Sequence, residues 1–407
     1  MKKLLSIILL VFLSLFTMHN PASSQEIDEE LWKKAMEIHN DAIVIDAHAH
    51  PMTSSPDASP DNLDLGKKTE YSSIDFISMK EGGLDAAFFS LALLNDINKG
   101  NPSKRIFDDI VLMRNHVNKY SSLAEIALTP ADIRRIHDAG KRAILFGIES
   151  RSCMEGHTVL LEAYYKMGIR LITIGHTKID PIADSDSEEA GESGLSQFGK
   201  KVVREMNRLG MLIDITHVPD NLQLSIIKES KAPVIASHSC VRALHDKPRN
   251  IPDEILREIA KKEGAIMITF NSAHLSSEYA AKHNEAFEKF NTEKKKLEEK
   301  LKDNKTELAK QLKALKEKTF PKGVDIELLI DHIDHAVKVA GIDHVGLGSD
   351  FISGSGNPIG LETAAGYPLI TYQLLKRGYK GEEIKKILGG NLLRIFSQAQ
   401  KISSELQ

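Results

Sequence analysis

The chain has 407 residues, 42% of them hydrophobic, with 53 basic and 57 acidic side chains for a formal charge of −4. That is enough apolar material for one large core, and no Pro/Ser/Gly-rich linker divides the middle of the chain into small domains. Basic residues are interspersed with acidic ones, so the composition carries no bias toward nucleic acid.

Residues 1–24 read as a secretory signal peptide: Lys2 and Lys3 start it, residues 4–16 are its apolar core, and Ala22-Ser23-Ser24 offers a cleavage site. The apolar run is about 13 residues, short of the roughly 20 that span a bilayer, so no stable membrane anchor is expected. Cleavage would take the formal charge from −4 to −6 by removing Lys2 and Lys3, and residues 25–407 would form one exported domain, periplasmic or secreted.

Eight apolar runs follow, each too short for a helix and bounded by polar turns. In order they are AIVIDAHAH (ending in His48 and His50), LDAAFFSLALL (84–94), RAILFGIE (Glu149), RLITIGH (His176), MLIDITH (His217), PVIASH (His238), AIMITF (265–270) and HVGLGSD (Asp350). Such Ile/Val/Leu-rich runs suit strands buried on both faces of a parallel sheet. Amphipathic helical segments lie between them, for example residues 200–210 and 253–264, each closing with Gly as a stop signal. Eight strand–helix alternations predict an α/β fold, a (β/α)8 TIM barrel. After the seventh strand the Lys/Glu-dense residues 277–318 form a charged helical insertion, broken near Asp303-Asn304, on the ligand-bearing end of the barrel. That position suits a lid or a homodimer contact. Cys153 and Cys240 are open to two readings, one bridge or two buried thiols.

Ligand-type residues at the carboxyl ends of parallel strands converge on one face, which in a barrel carries the active site. His48, His50, Glu149, His217 and His238 are the candidate metal ligands. Five ligands exceed what one tetrahedral catalytic ion with an open position can take. A bridging Glu149 resolves this: His48 and His50 complete one ion and His217 and His238 the other. A hydroxide between two ions about 3.5 to 4 Å apart would then attack a polarised carbonyl. Nitrogen and carboxylate donors suit two Zn²⁺ ions per chain best, with Mn²⁺, Fe²⁺ or Co²⁺ as alternatives. His332 and His335 lie on a helical segment and read as a solvated face.

The stretches VIDAHAHP, FGIES, LITIGHTKIDPIADS, GLSQFGKKVVREMNRLGMLIDITHV, PVIASHSCVRALHDKPRNIPDE, DHVGLGSDF and KILGGNLLRIF, spread over residues 43–397, resemble the renal (membrane) dipeptidase family of the amidohydrolase superfamily. The resemblance implies a binuclear zinc peptidase whose substrates are dipeptides. His48, Glu149, His217 and His238 match the family's ligands, whereas His50 stands where the family usually has Asp. By the same likeness His176 contacts the substrate carbonyl, Arg249 grips its terminal carboxylate, and Asp350 moves the proton from water to the leaving amine. Two alternatives stay open: hydrolysis of an N-acyl amino acid or cyclic amide, and a catalytically silent barrel that binds peptides.

Overall fold

The computed structural model describes residues 27–51, 63–68, 73–91, 102–174, 194–302, 304–352 and 356–407. Its centre is a parallel sheet of nine strands: β1 (Ile45–Ala49), β2 (Ala86–Leu91), β3 (Ala124–Ile126), β4 (Arg142–Glu149), β5 (Ile169–Thr173), β6 (Leu212–Asp214), β7 (Val234–Ser239), β8 (Ala265–Ile268) and β9 (Val345–Leu347). Eight follow one path in the order β1-β2-β4-β5-β6-β7-β8-β9, and β3 pairs only with β4, off that path. The ring closes where Ala49 bridges Phe351 in parallel, with the Asp350 N–H donating to His48 O at 2.9 Å and the His50 N–H to Phe351 O at 3.2 Å. The fold is the expected (β/α)8 barrel. The short β3 was not anticipated; at three residues, only one of them buried, it lacks the apolar run that marks the others.

Every barrel strand is buried along its length because both faces are covered. One face, with Ile144, Ile148, Ile172, Ile213 and Ile266, packs against helix residues such as Val202, Met206, Leu256 and Ile259. The alternate residues Ile45, Ala86, Leu145, Leu171, Leu212, Ile235 and Met267 form the interior cluster together with Leu392 and Phe396 of the last helix, Asn391–Leu406. This helix meets the first residues of the strands, so it fills the amino end of the barrel and leaves the carboxyl end for the site. Phe396 meets Phe88 edge to face at 6.2 Å, and truncating it to Ala should destabilise the fold by roughly 3–5 kcal/mol.

The helix Gln197–Leu209 ends as expected at Gly210, which takes the left-handed φ of 75°. Helix Asp253–Lys261 departs from expectation. Its left-handed residue is Glu263, at φ 59°, not Gly264. Gly264 is needed for another reason, since a Cβ there would lie 2.1 Å from Val234 O.

The charged segment between β8 and β9 forms two helices, Ser277–Lys300 and Lys305–Thr319. Tyr279 and Ala286 are the buried side chains of the first, and none of the described side chains of the second is buried. An aromatic root holds the pair, with His283 and Phe290 against Phe320 at 5.0 and 5.4 Å. Cys153 and Cys240 are both buried, free thiols, which settles the choice between bridge and thiols. His332 is not on a solvated face. It is buried, its Nδ1 accepts from the Val241 N–H at 3.1 Å and its Nε2 donates to Leu275 O at 3.0 Å.

Candidate metal centre

At the carboxyl end of the strands four imidazoles surround one carboxylate. Glu149 falls in step with Ala143 and Leu145, so the period-2 rule already aims it into the barrel. His48 and His238 do not follow that rule. They alternate in step with Val44 and with Val234 and Ala236, all of the helix-facing cluster. Pairing irregularities between Asp46 and Ala49 and between Ala236 and Ser239 re-aim them inward, a common use of bulges beside active sites. His217 and Asp350 turn inward where the backbone adopts positive φ, 65° and 57°.

Glu149 Oε2 lies 3.3 Å from His48 Nε2 and 3.2 Å from His50 Nε2. Its Oε1 lies 2.9 Å from His217 Nε2 and 3.5 Å from His238 Nε2. Asp350 Oδ1 joins the first pair, 3.4 Å from His50 Nε2. Within each pair the Nε2 atoms approach each other, at 3.1 Å for His48 and His50 and 3.0 Å for His217 and His238. The ligand atoms of His48, Glu149 and His238, and those of His48, His50 and Asp350, lie within 4.8 Å of one another. Converging lone-pair donors with so few protons among them fit the binding of a divalent cation.

Electrostatics point the same way. Burial alone would raise Glu149, but hydrogen bonds with His217, His238 and His48 outweigh it and hold the carboxyl well below its ordinary range. Burial, aided by His48, pushes His238 well below the usual imidazole value. His50 is the opposite case: burial would lower it, yet hydrogen bonds to Asp350 and Glu149 raise it to about 10.

Arg249 lies beside these ligands. Its Nη1 donates to Ser239 Oγ at 2.9 Å and its Nη2 to His238 O at 2.7 Å, with His217 Nε2 at 3.2 Å. Burial lowers its pKa, opposed by the charges of Asp350 and Glu149. The structure thus brings together His48, His50, Glu149, His217, His238, Arg249 and Asp350. His176 lies outside the described residues, as do residues 1–24.

Two residues escaped the sequence reading, Asp46 and Asp214. Asp46 accepts from the backbone N–H groups of His48 at 3.0 Å and Ser349 at 2.8 Å and from Ser349 Oγ at 2.5 Å. Asp214 does the same with Thr216, Ser237 and the Ser237 hydroxyl. The signal was present as an Asp inside the apolar runs VIDAH and LIDITH, where a charge is expensive unless fully hydrogen-bonded.

The family model for membrane dipeptidase, peptidase family M19, matches residues 32–407. The chain belongs to this family. Among curated family relatives, it is 28% identical to dipeptidase 3 of Macaca fascicularis over 80% of this chain and 58% of that protein. It is 30% identical to dipeptidase tcpJ of Claviceps purpurea over 73% of this chain and 60% of that one. The match therefore spans less than two thirds of those relatives' length. The probable dipeptidase PvdM of Pseudomonas aeruginosa superposes with a TM-score of 0.74 at 24% identity, covering 92% of this chain and 100% of that one. A metallo peptidase of Rhodobacter sphaeroides, liganded with a phosphinate mimic of the dipeptide L-Ala-D-Ala, superposes at 0.66 and 20% identity, over 88% and 100%.

Proposed function

We propose that this chain is an exported, zinc-dependent dipeptidase. The observation that carries the reading is the division of Glu149, whose Oε2 serves His48 and His50 while Oε1 serves His217 and His238. One carboxylate can then be shared by two ions, and this donor set suits Zn²⁺. Bound there, two ions would supply Lewis acidity toward a carbonyl and toward water.

The chain's own residues supply the rest. Ser239 and His238 O hold the Arg249 guanidinium beside His217, where its charge would attract the free carboxylate at the end of a dipeptide. A clamp fixed beside the ligands would favour substrates whose carboxylate lies close to the scissile bond, as in a dipeptide. Asp350, buried beside His50, would accept a proton from the attacking water and return it to the leaving amine. His176, which follows β5 in the chain, would donate to the carbonyl oxygen as charge develops. The names of the family relatives, and the dipeptide mimic held by the Rhodobacter protein, support this substrate class. Export rests on Lys2, Lys3, the apolar residues 4–16 and the small residues before Gln25. No helix among the described residues is long and apolar enough to cross a membrane.

The test is metal analysis of the mature protein together with turnover of L,L and L,D dipeptides, each with free and amidated C-termini. Two zinc ions per chain, lost in Glu149→Gln, and a strong preference for free carboxylates are expected. A single tightly bound ion in the metal-replete protein would overturn the shared carboxylate. Equal turnover of amidated substrates would remove the clamp.

A further inference from the structure

His238 presents Nε2 to the Glu149 side, and its other ring nitrogen points into a buried chain of hydrogen bonds. His238 Nδ1 lies 2.8 Å from Ser237 Oγ, and Ser237 Oγ lies 2.6 Å from Asp214 Oδ2. Asp214 is fully buried and surrounded by donors. Its Oδ1 accepts from the backbone N–H groups of Thr216 at 3.0 Å and Ser237 at 2.8 Å, and its Oδ2 from the Thr173 hydroxyl at 2.5 Å as well as from Ser237.

Proton counting leaves one arrangement. A carboxylate only accepts, and a serine hydroxyl has one proton to give. If Ser237 gave that proton to His238, its oxygen would face Asp214 Oδ2 at 2.6 Å with lone pairs on both sides, in a site sealed from water. Ser237 therefore donates to Asp214, and its oxygen can only accept from His238. The proton on that imidazole must then sit on Nδ1, which leaves the Nε2 lone pair free.

We propose that Asp214 and Ser237 form a relay that fixes the tautomer of His238, so that Nε2 meets a divalent cation already unprotonated. This rests on the metal-centre reading above. Asp214 is a positioning residue, about one strand removed from the chemistry, and it acts on the ligand through a serine instead of touching the ring.

Asp214→Asn isolates the effect. The two backbone N–H groups still require an oxygen, so the new amide turns its Nδ2 toward Ser237 and Thr173. Its N–H then donates to the Ser237 oxygen, the serine hydroxyl donates to the Nδ1 lone pair of His238, and the ring carries its own proton on Nε2, against the cation. Zn²⁺ affinity of one of the two sites, read by competition with a chromophoric chelator, should fall by about 10- to 100-fold. Adding Ser237→Ala removes the hydroxyl that enforces the wrong tautomer, so the double variant should regain most of that loss. A purely structural role predicts the reverse, with the double variant weaker than either single one. Native affinity in Asp214→Asn, or no recovery in the double variant, would overturn the relay while leaving the metal centre standing. If the unmutated protein takes up no Zn²⁺, the metal centre falls and the relay with it. A measurement free of variants reads the same property: in the ¹⁵N spectrum of metal-free native protein, His238 should be protonated at Nδ1. A proton found on Nε2 would overturn the proposal.

Discussion

At the closing seam of the barrel, Asp46 on β1 reaches Ser349 just past β9. Between β6 and β7, Asp214 reaches Ser237. Each carboxylate uses Oδ1 for the N–H two residues along its own chain and for the serine N–H, and Oδ2 for the serine hydroxyl. The surroundings differ. Asp46 and Ser349 alternate in step with Val44 and with Val345 and Leu347 of the helix-facing cluster, whereas Asp214 and Ser237 are in step with Leu212 and Ile235 of the interior. Beyond its Asp, the Ser349 hydroxyl meets backbone groups, the carbonyl of His48 at 3.3 Å and the N–H of Phe351 at 3.2 Å, but the Ser237 hydroxyl meets an imidazole. One fastening can therefore be purely mechanical at one seam and reach the chemistry at the other, depending on what the serine faces.

The largest effect expected is at the mechanical seam. Asp46→Ala would strand the buried N–H groups of His48 and Ser349, at about 1–3 kcal/mol each, and remove the Ser349 hydroxyl's bond to a carboxylate, about 1.5–3 kcal/mol more. Urea unfolding should show a loss of at least about 3 kcal/mol, while the protein that remains folded binds Zn²⁺ nearly as before. A drop in Zn²⁺ affinity equal to that of Asp214→Asn would erase the distinction between the seams.

Asp350 directly follows Ser349, so it asks whether the seam also carries chemistry through its neighbour. Asp350→Asn keeps the shape and should leave the metal content unchanged, yet lower kcat by roughly 10². Unchanged turnover at full metal content would take Asp350 out of the reaction.

A third test concerns His332, which joins the strand side to the insertion side by accepting from Val241 and donating to Leu275. Burial lowers its pKa to about 4. The unfolded chain takes up this proton near pH 6.5 and the folded one only near pH 4, so stability falls as pH drops through that window. Between pH 7 and 5 the contribution is about 2 kcal/mol. His332→Gln should flatten the stability profile there by that amount, and an unaltered slope would show that this imidazole does not govern it.

The smallest effect belongs to the charged hairpin. Replacing residues 291–316 with a short Gly/Ser loop keeps the aromatic root at Tyr279, His283, Phe290 and Phe320. Thermal melting of the barrel should then shift by no more than an exposed substitution would, within about 0.5 kcal/mol. A large loss would mean that the hairpin carries an interface.

Much of this was legible before the coordinates. Apolar runs ending in His, Glu or Asp predicted six of the barrel strands, and His48, His50, Glu149, His217, His238 and Asp350 at their ends lie together, because strand ends in a parallel barrel share one face. What remained hidden was local. Strict alternation would send His48 and His238 toward the helices, and only the pairing irregularities turn them inward. Asp46 and Asp214 were passed over because their partners, Ser349 and Ser237, are distant in sequence and unremarkable in composition. His332 read as a solvated helix face because nothing local shows which side of that helix the next strand covers.

The backbone at His217 is held at φ 65°, a conformation that L side chains adopt at about 1–2 kcal/mol and glycine adopts freely. A comparison of His217→Gly with His217→Ala isolates this, since both remove the imidazole. The glycine variant should be the more stable by about 1 kcal/mol in metal-free protein, and equal stability would mean that the turn is unstrained. One of the groups at the site is thus carried on a backbone shape that its own chirality resists, and the surrounding barrel must hold it there.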